Sequence, residues 1–281
     1  MSTIASNRMD RVAVDGHALE CELRGVGDPV VLIHWGVCAA WAQPLMEAPP
    51  LADHHRLLRY HRAGFAGSDR IDGPISIADH ASHCAGLMRA LGIETAHVVG
   101  HSSSAAIALQ LALDAPDRLR TLTLMEPARP APPTDLGAAF VRDVVAPAVE
   151  RYRAGDSAGA VDAWFHGAFG SGYRGRIERA LPGGVAQAVA DADAFFAQEL
   201  PALQQWSFTE DDARRIEQPV LAVLGAKTAP TFRERVELLA SWLPSAETFE
   251  LPGATHLLHL ENPSGLARAM ASFYARHPVA A

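Results

Sequence analysis

Gly100-His101-Ser102-Ser103-Ser104 stands between an apolar, β-branched run, Ala96-His97-Val98-Val99, and an alanine-rich run from Ala105 to Leu113. The first run reads as a buried strand and the second as a helix, so the five residues between them must form a sharp turn. Such a turn lifts the hydroxyl at its apex, Ser102, clear of the sheet. It also leaves the N–H of Ser103 at a helix N-terminus, aimed at any negative charge that develops beside Ser102. Close passage of strand and helix requires small residues two before and two after the apex, positions held here by Gly100 and Ser104. Ser103 and Ser104 are alternative nucleophiles by chemistry alone, but on this reading they begin the helix. A serine-rich surface loop is the competing interpretation, and the flanking strand and helix patterns weigh against it.

Working outward, strand and helix patterns alternate at the spacing of a mostly parallel sheet covered on both faces. Expected strands are 11–15, 19–24, 30–34, 56–60, 96–99, 119–125, 220–225 and 248–251. Expected helices include 77–91, 103–114, 231–243 and 263–276. Between Met125 and Pro219, past a short Ala/Pro stretch from Pro127 to Pro133, the segment 135–215 reads as successive helices with no convincing strand. It carries Trp164, Phe165, Phe169, Phe195, Phe196, Trp206 and Phe208. The expected organisation is therefore a core in two parts, 1–133 and 215–281, interrupted by a helical cap, 134–214. Most of these aromatics would form the cap's own core. Trp164, Phe165 and Phe169 are expected to face a substrate cleft.

A serine nucleophile needs a base, and the base needs a group to orient it. His256 follows the strand 248–251 through Pro252-Gly253-Ala254-Thr255, at the carboxyl end of a strand where open α/β sheets place their chemistry. His259 is its main rival. No carboxylate stands near Thr228, after the strand 220–225. Glu126, at the end of the strand 119–125 and before Pro127, is the expected acid, because a charge at the end of a buried strand is costly unless paired. The adjacent pair His54-His55, taken as helical, would point its side chains apart and reads as surface, and no metal-ligand cluster stands out.

Composition restricts the alternatives. The chain has 281 residues, 49% of them hydrophobic and 20% charged, as in globular proteins with a substantial core. Its 24 basic and 32 acidic residues give a net charge of −8, which disfavours nucleic acid or an anionic membrane as partner. The three cysteines, Cys21, Cys38 and Cys84, form no C-x-x-C pair and do not suggest a disulfide framework. Met1 to Val12 has no apolar leader segment and no long apolar run follows, so the expected location is the cytoplasm. The state expected in solution is a monomer or homodimer.

Together these residues resemble the α/β-hydrolase fold family over nearly the whole chain. Besides the turn and His256, the resemblance rests on Leu32-Ile33-His34-Trp35-Gly36, where the family has His-Gly after its third strand. It rests also on Tyr60-His61-Arg62-Ala63-Gly64-Phe65-Ala66-Gly67-Ser68, similar to the family's Arg-Gly-x-Gly-x-Ser stretch. The resemblance implies an eight-stranded sheet with an inserted helical cap and a serine hydrolase with the triad Ser102, Glu126 and His256. An acid after the sixth strand is found in some haloalkane dehalogenases and fungal resorcylic-lactone hydrolases, but the dehalogenases use an aspartate nucleophile where this chain has Ser102. The resemblance further implies an oxyanion hole made by Ser103 with the backbone of Gly36 or Trp35. Trp35, replacing a small glycine, would narrow a pocket bordered by His34 and His101. The expected substrate is a small to medium hydrophobic ester or lactone, cleaved without a cofactor. Rival readings are a C–C bond hydrolase or perhydrolase on the same triad, a small-molecule receptor on this fold, and a degenerate member of the family.

Overall fold

The computed structural model describes residues 9–128 and 134–279. Most of the stretch from Met1 to Val12, residues 129–133 of the Ala/Pro stretch and the expected end of the first core segment at 133 lie outside the described residues. Eight strands, β1 (Asp10–Val14), β2 (His17–Arg24), β3 (Asp28–Ile33), β4 (His55–Tyr60), β5 (Ala96–His101), β6 (Leu119–Met125), β7 (Val220–Gly225) and β8 (Ala246–Leu251), form one sheet in the order β1-β2-β4-β3-β5-β6-β7-β8. β1 and β2 pair antiparallel, as do β2 and β4, and all later pairs are parallel. The β1–β2 hairpin turns on Asp15-Gly16, both with positive φ, the two-residue turn that suits strand twist. Val30 to Ile33 and the whole of β5 and β7 are buried, as strands covered on both faces must be. β8, at the edge, instead exposes Glu247 and Glu250, which discourages edge-to-edge pairing.

All eight expected strands are present, with shifted ends. β5 continues through Gly100 to His101, which confines the turn to Ser102, and β3 stops at Ile33. The His54-His55 pair is not a surface helix pair. Only His54 is exposed; His55 opens β4, is buried, and hydrogen-bonds through Nδ1 to the Leu51 carbonyl at 3.2 Å. A strand start after a one-turn helix turns the second ring inward, against His97 and Tyr274.

Helices α1 (Ile77–Ala90), α2 (Ser103–Asp114), α3 (Pro230–Trp242) and α4 (Pro263–Ala275) flank the sheet. α1 starts at a capping box in which Ser76 and Asp79 exchange hydrogen bonds. Between β6 and β7 the described residues form only helices and turns, from Asp135–Phe140 to Glu210–Arg214. This insertion is tied to the loop after β4. Arg62 and Glu199, each 1% exposed, form an ion pair at 2.5 Å. Asp191 accepts the Ala66 N–H at 3.0 Å and pairs with Arg70, while Gln198 donates to the Ile71 carbonyl. The stretch 60–68 thus joins the sheet to the insertion. Among the described residues, no helix is long and apolar enough to cross a membrane.

Candidate active site

The end of β5 is built for one strained serine. Ser102 sits at φ 51° and ψ −116°, a region that costs a non-glycine residue about 1–3 kcal/mol. Flanking bonds hold it there. Its N–H donates to the Met125 carbonyl at 2.9 Å, and its carbonyl accepts the Ala128 N–H at 3.0 Å. Gly100 is required: a Cβ there would lie 2.7 Å from the Ser104 carbonyl oxygen. Ser104, the small residue two after the apex, is fully buried, and its hydroxyl is engaged by the carbonyls of Ile33 and His101 at 3.1 and 3.2 Å and by the His101 N–H at 3.0 Å. Those bonds pin the turn to β3 and remove Ser104 as a nucleophile. The Ser103 hydroxyl accepts the Gly36 N–H at 2.9 Å.

At the end of β6, Glu126 has φ 41° and no solvent exposure. Its Oε1 accepts the Gly225 N–H at 2.7 Å. Its Oε2 accepts the Thr228 hydroxyl at 2.8 Å and lies 2.5 Å from His256 Nδ1. Three donors around one buried carboxylate offset the cost of burying its charge. Thr228 occupies the turn after β7 where an acid was sought, and it serves the acid of the neighbouring strand instead. Because an ionised carboxylate only accepts, it assigns the proton to Nδ1 of neutral His256 and leaves Nε2 as the basic nitrogen.

The His256 ring is fixed on its faces as well. Phe232, from α3, stacks on it at 3.8 Å and 7°, and Phe169, from the insertion, lies 5.9 Å away at 25°. The His256 carbonyl accepts from His101 Nε2 at 3.1 Å, which links the β5 turn directly to the histidine loop. Burial, with His256 and His259 adding to it, holds the His101 imidazole well below its ordinary value, so it is neutral. His259 is pushed down to about 3, first by burial and then by His256. Neither of its ring nitrogens has a hydrogen-bond partner among the described residues, and the Glu126 carboxylate faces His256 instead.

Ser102 and His256 open onto a cavity of about 640 Å³. On the sheet side it is lined by Trp35, Gly36, His101 and Ser103, and on the insertion side by Trp164, Phe165 and Phe169 together with Phe140 and Phe195. Arg142, Glu234 and Arg235 add charge to an otherwise apolar wall. His34 does not line the cavity. It is packed inside, 4.7 Å from the Phe65 ring and accepting the Arg62 N–H at 3.5 Å, because β3 ends one residue earlier than expected. Phe196, Trp206 and Phe208 are likewise absent from the lining. Sequence reasoning missed Thr228, whose hydroxyl-bearing turn was the available signal, and Phe232, whose direction on α3 no local pattern reveals. Among the described residues no group of three or more His, Cys, Asp or Glu side chains is arranged to hold a metal ion.

A family model described as alpha/beta hydrolase fold matches residues 29–263. The 2-hydroxy-6-oxo-2,4-heptadienoate hydrolase of Pseudomonas putida is 35% identical over 105 residues, which cover 36% of this chain and 38% of that protein. The chain spans less than half the length of the curated relatives it matches, 39%, 30% and 38% in three of them. Among solved structures, a thermophilic esterase from Thermogutta terrifontis superposes with a TM-score of 0.79 at 21% identity, covering 97% of this chain and 100% of that one. The enol-lactonase from Burkholderia xenovorans LB400 superposes with a TM-score of 0.73 at 22% identity, covering 95% and 100%. At these identities the likeness is one of fold.

Proposed function

We propose that this chain, which belongs to the alpha/beta hydrolase fold family, cleaves small to medium hydrophobic carboxylic esters or lactones through an acyl-enzyme on Ser102. The observation that carries this reading is the wholly buried Glu126, bonded to His256 Nδ1, with His256 and Ser102 on one largely apolar cavity. His256 Nε2 takes the Ser102 proton as the serine oxygen attacks the carbonyl carbon, and Glu126 stabilises the resulting imidazolium. The tetrahedral intermediate collapses, its leaving alcohol takes that proton, and water activated by the same imidazole releases the acid. Every step draws on side chains, backbone and water. The aromatic wall of the insertion supports a hydrophobic acyl or alcohol group over a peptide.

A second reading, carbon–carbon bond hydrolysis on the same triad, draws support from the partial likeness to the heptadienoate hydrolase. One panel separates the two: a chain-length series of p-nitrophenyl esters, an aromatic lactone and 2-hydroxy-6-oxo-6-phenylhexa-2,4-dienoate, given to the wild type and to Ser102→Ala. Ester or lactone turnover that vanishes in the variant supports the first reading. Turnover of the dienoate alone supports the second, and equal turnover of the esters by both proteins rules out Ser102 as the nucleophile.

A further inference from the structure

We propose that the side-chain hydroxyl of Ser103, rather than the amide of Gly36, is the second hydrogen-bond donor to the oxyanion. The Gly36 N–H is already committed, donating to Ser103 Oγ at 2.9 Å. Its direction is set by backbone that is itself held: Gly36 has φ +56°, and its carbonyl accepts from Arg62 at 3.4 Å, the same guanidinium that the buried Glu199 carboxylate fixes. As acceptor of that N–H, the Ser103 hydroxyl keeps its own hydrogen to give. No acceptor for that hydrogen is present among the described residues, whereas the neighbouring Ser104 hydroxyl is spent on two carbonyls. Ser103 lines the cavity beside Ser102 and begins α2, with no side-chain cap closing that helix end. One residue therefore presents two donors, its N–H and an O–H polarised by the amide behind it.

The inference rests on the hydrolase reading of Ser102. As the Ser102 oxygen bonds to the carbonyl carbon, its proton passes to His256 Nε2 and the carbonyl π pair moves onto oxygen. The Ser103 N–H and O–H hold that oxygen without giving up a proton. The pair returns when the bond to the leaving oxygen breaks and that oxygen takes the proton from His256.

The test compares Ser103→Ala, which should fold because alanine is a strong helix former, with Ser103→Thr, which keeps a hydroxyl; melting temperatures check both folds. The readouts are ester kcat and KM and the affinity of an aryl trifluoromethyl ketone, whose adduct with Ser102 carries the oxyanion. Loss of one such donor lowers kcat about 10²- to 10³-fold, so Ser103→Ala is expected to lose that much kcat with little change in KM, to lose ketone affinity in parallel, and to be largely rescued by Ser103→Thr. If Ser103→Ala keeps kcat and ketone affinity within about threefold of the wild type, the freed Gly36 amide suffices and the inference is overturned while the hydrolase reading stands. If the ketone binds the wild type and Ser102→Ala equally, the hydrolase reading fails and takes this inference with it.

Discussion

The two walls of the cavity are built on opposite principles. Behind the sheet-side wall, directional bonds fix the strand ends: Glu126 is bonded to Gly225, Thr228 and His256, and Ser104 to two carbonyls and an N–H. On the insertion side the wall is aromatic, with Trp164 edge-on to Phe195 at 4.9 Å and Phe165 tilted against Phe169 at 5.3 Å. Directional bonds on strand ends fix reacting atoms to within fractions of an ångström, while apolar packing fixes only shape and volume. Chemistry and selectivity should therefore be separable by mutation, the first residing in the sheet wall and the second in the insertion wall.

The largest effect expected on the sheet side comes from Glu126→Gln. The amide keeps the shape but not the charge that the proposed mechanism sets against the His256 imidazolium, and kcat should fall about 10⁴-fold with a native circular dichroism spectrum. A near-normal rate would erase the distinction between the walls and require another acid. Next in size is the hinge between them: Arg62→Met leaves Glu199 buried and unpaired, and urea unfolding should show a loss of about 3–5 kcal/mol. On the insertion side, Trp164→Ala should shift acyl chain-length preference by about tenfold in kcat/KM toward bulkier esters while remaining Ser102-dependent. A uniform drop across the ester series would show that this wall also orients the reacting groups.

The smallest effect concerns acid. The His34, His101 and His259 rings are kept neutral by burial, His259 down to about 3, so the unfolded chain binds protons first as pH falls below about 6.5. A base with a depressed folded value costs stability in that window, and stability should fall from about pH 6.5 downward. His259→Phe removes one such group, and its melting temperature should drop by about 3–5 °C less than that of the wild type between about pH 7 and pH 5. Parallel curves would place the acid sensitivity in other residues.

How much of this was legible in the chain follows the same division. The placement of Ser102 and Glu126 was readable because each stands where a strongly apolar strand meets a turn, and that of His256 because its loop follows the end of β8. Gly100 was readable because close helix–strand passage forbids a side chain. Thr228 was not, because its bond to Glu126 exists only once β6 and β7 are neighbours. His34 and His55 were placed wrongly for a related reason: a shift of one residue at a strand end, or a strand in place of a helix, reverses which way a ring points. The insertion was recognised as helical, yet which of its aromatics reach the cavity depends on helix orientations that no local pattern carries.

The most direct test of the central claim is peptide mass spectrometry of the protein after brief exposure to a fluorophosphonate ester, run alongside Ser102→Ala and Glu126→Gln. A single phosphonyl adduct is predicted on Ser102, absent from Ser102→Ala and formed far more slowly in Glu126→Gln. An adduct on Ser103 or Ser104, or labelling of Ser102 at an undiminished rate in Glu126→Gln, would contradict the assignment of nucleophile or acid.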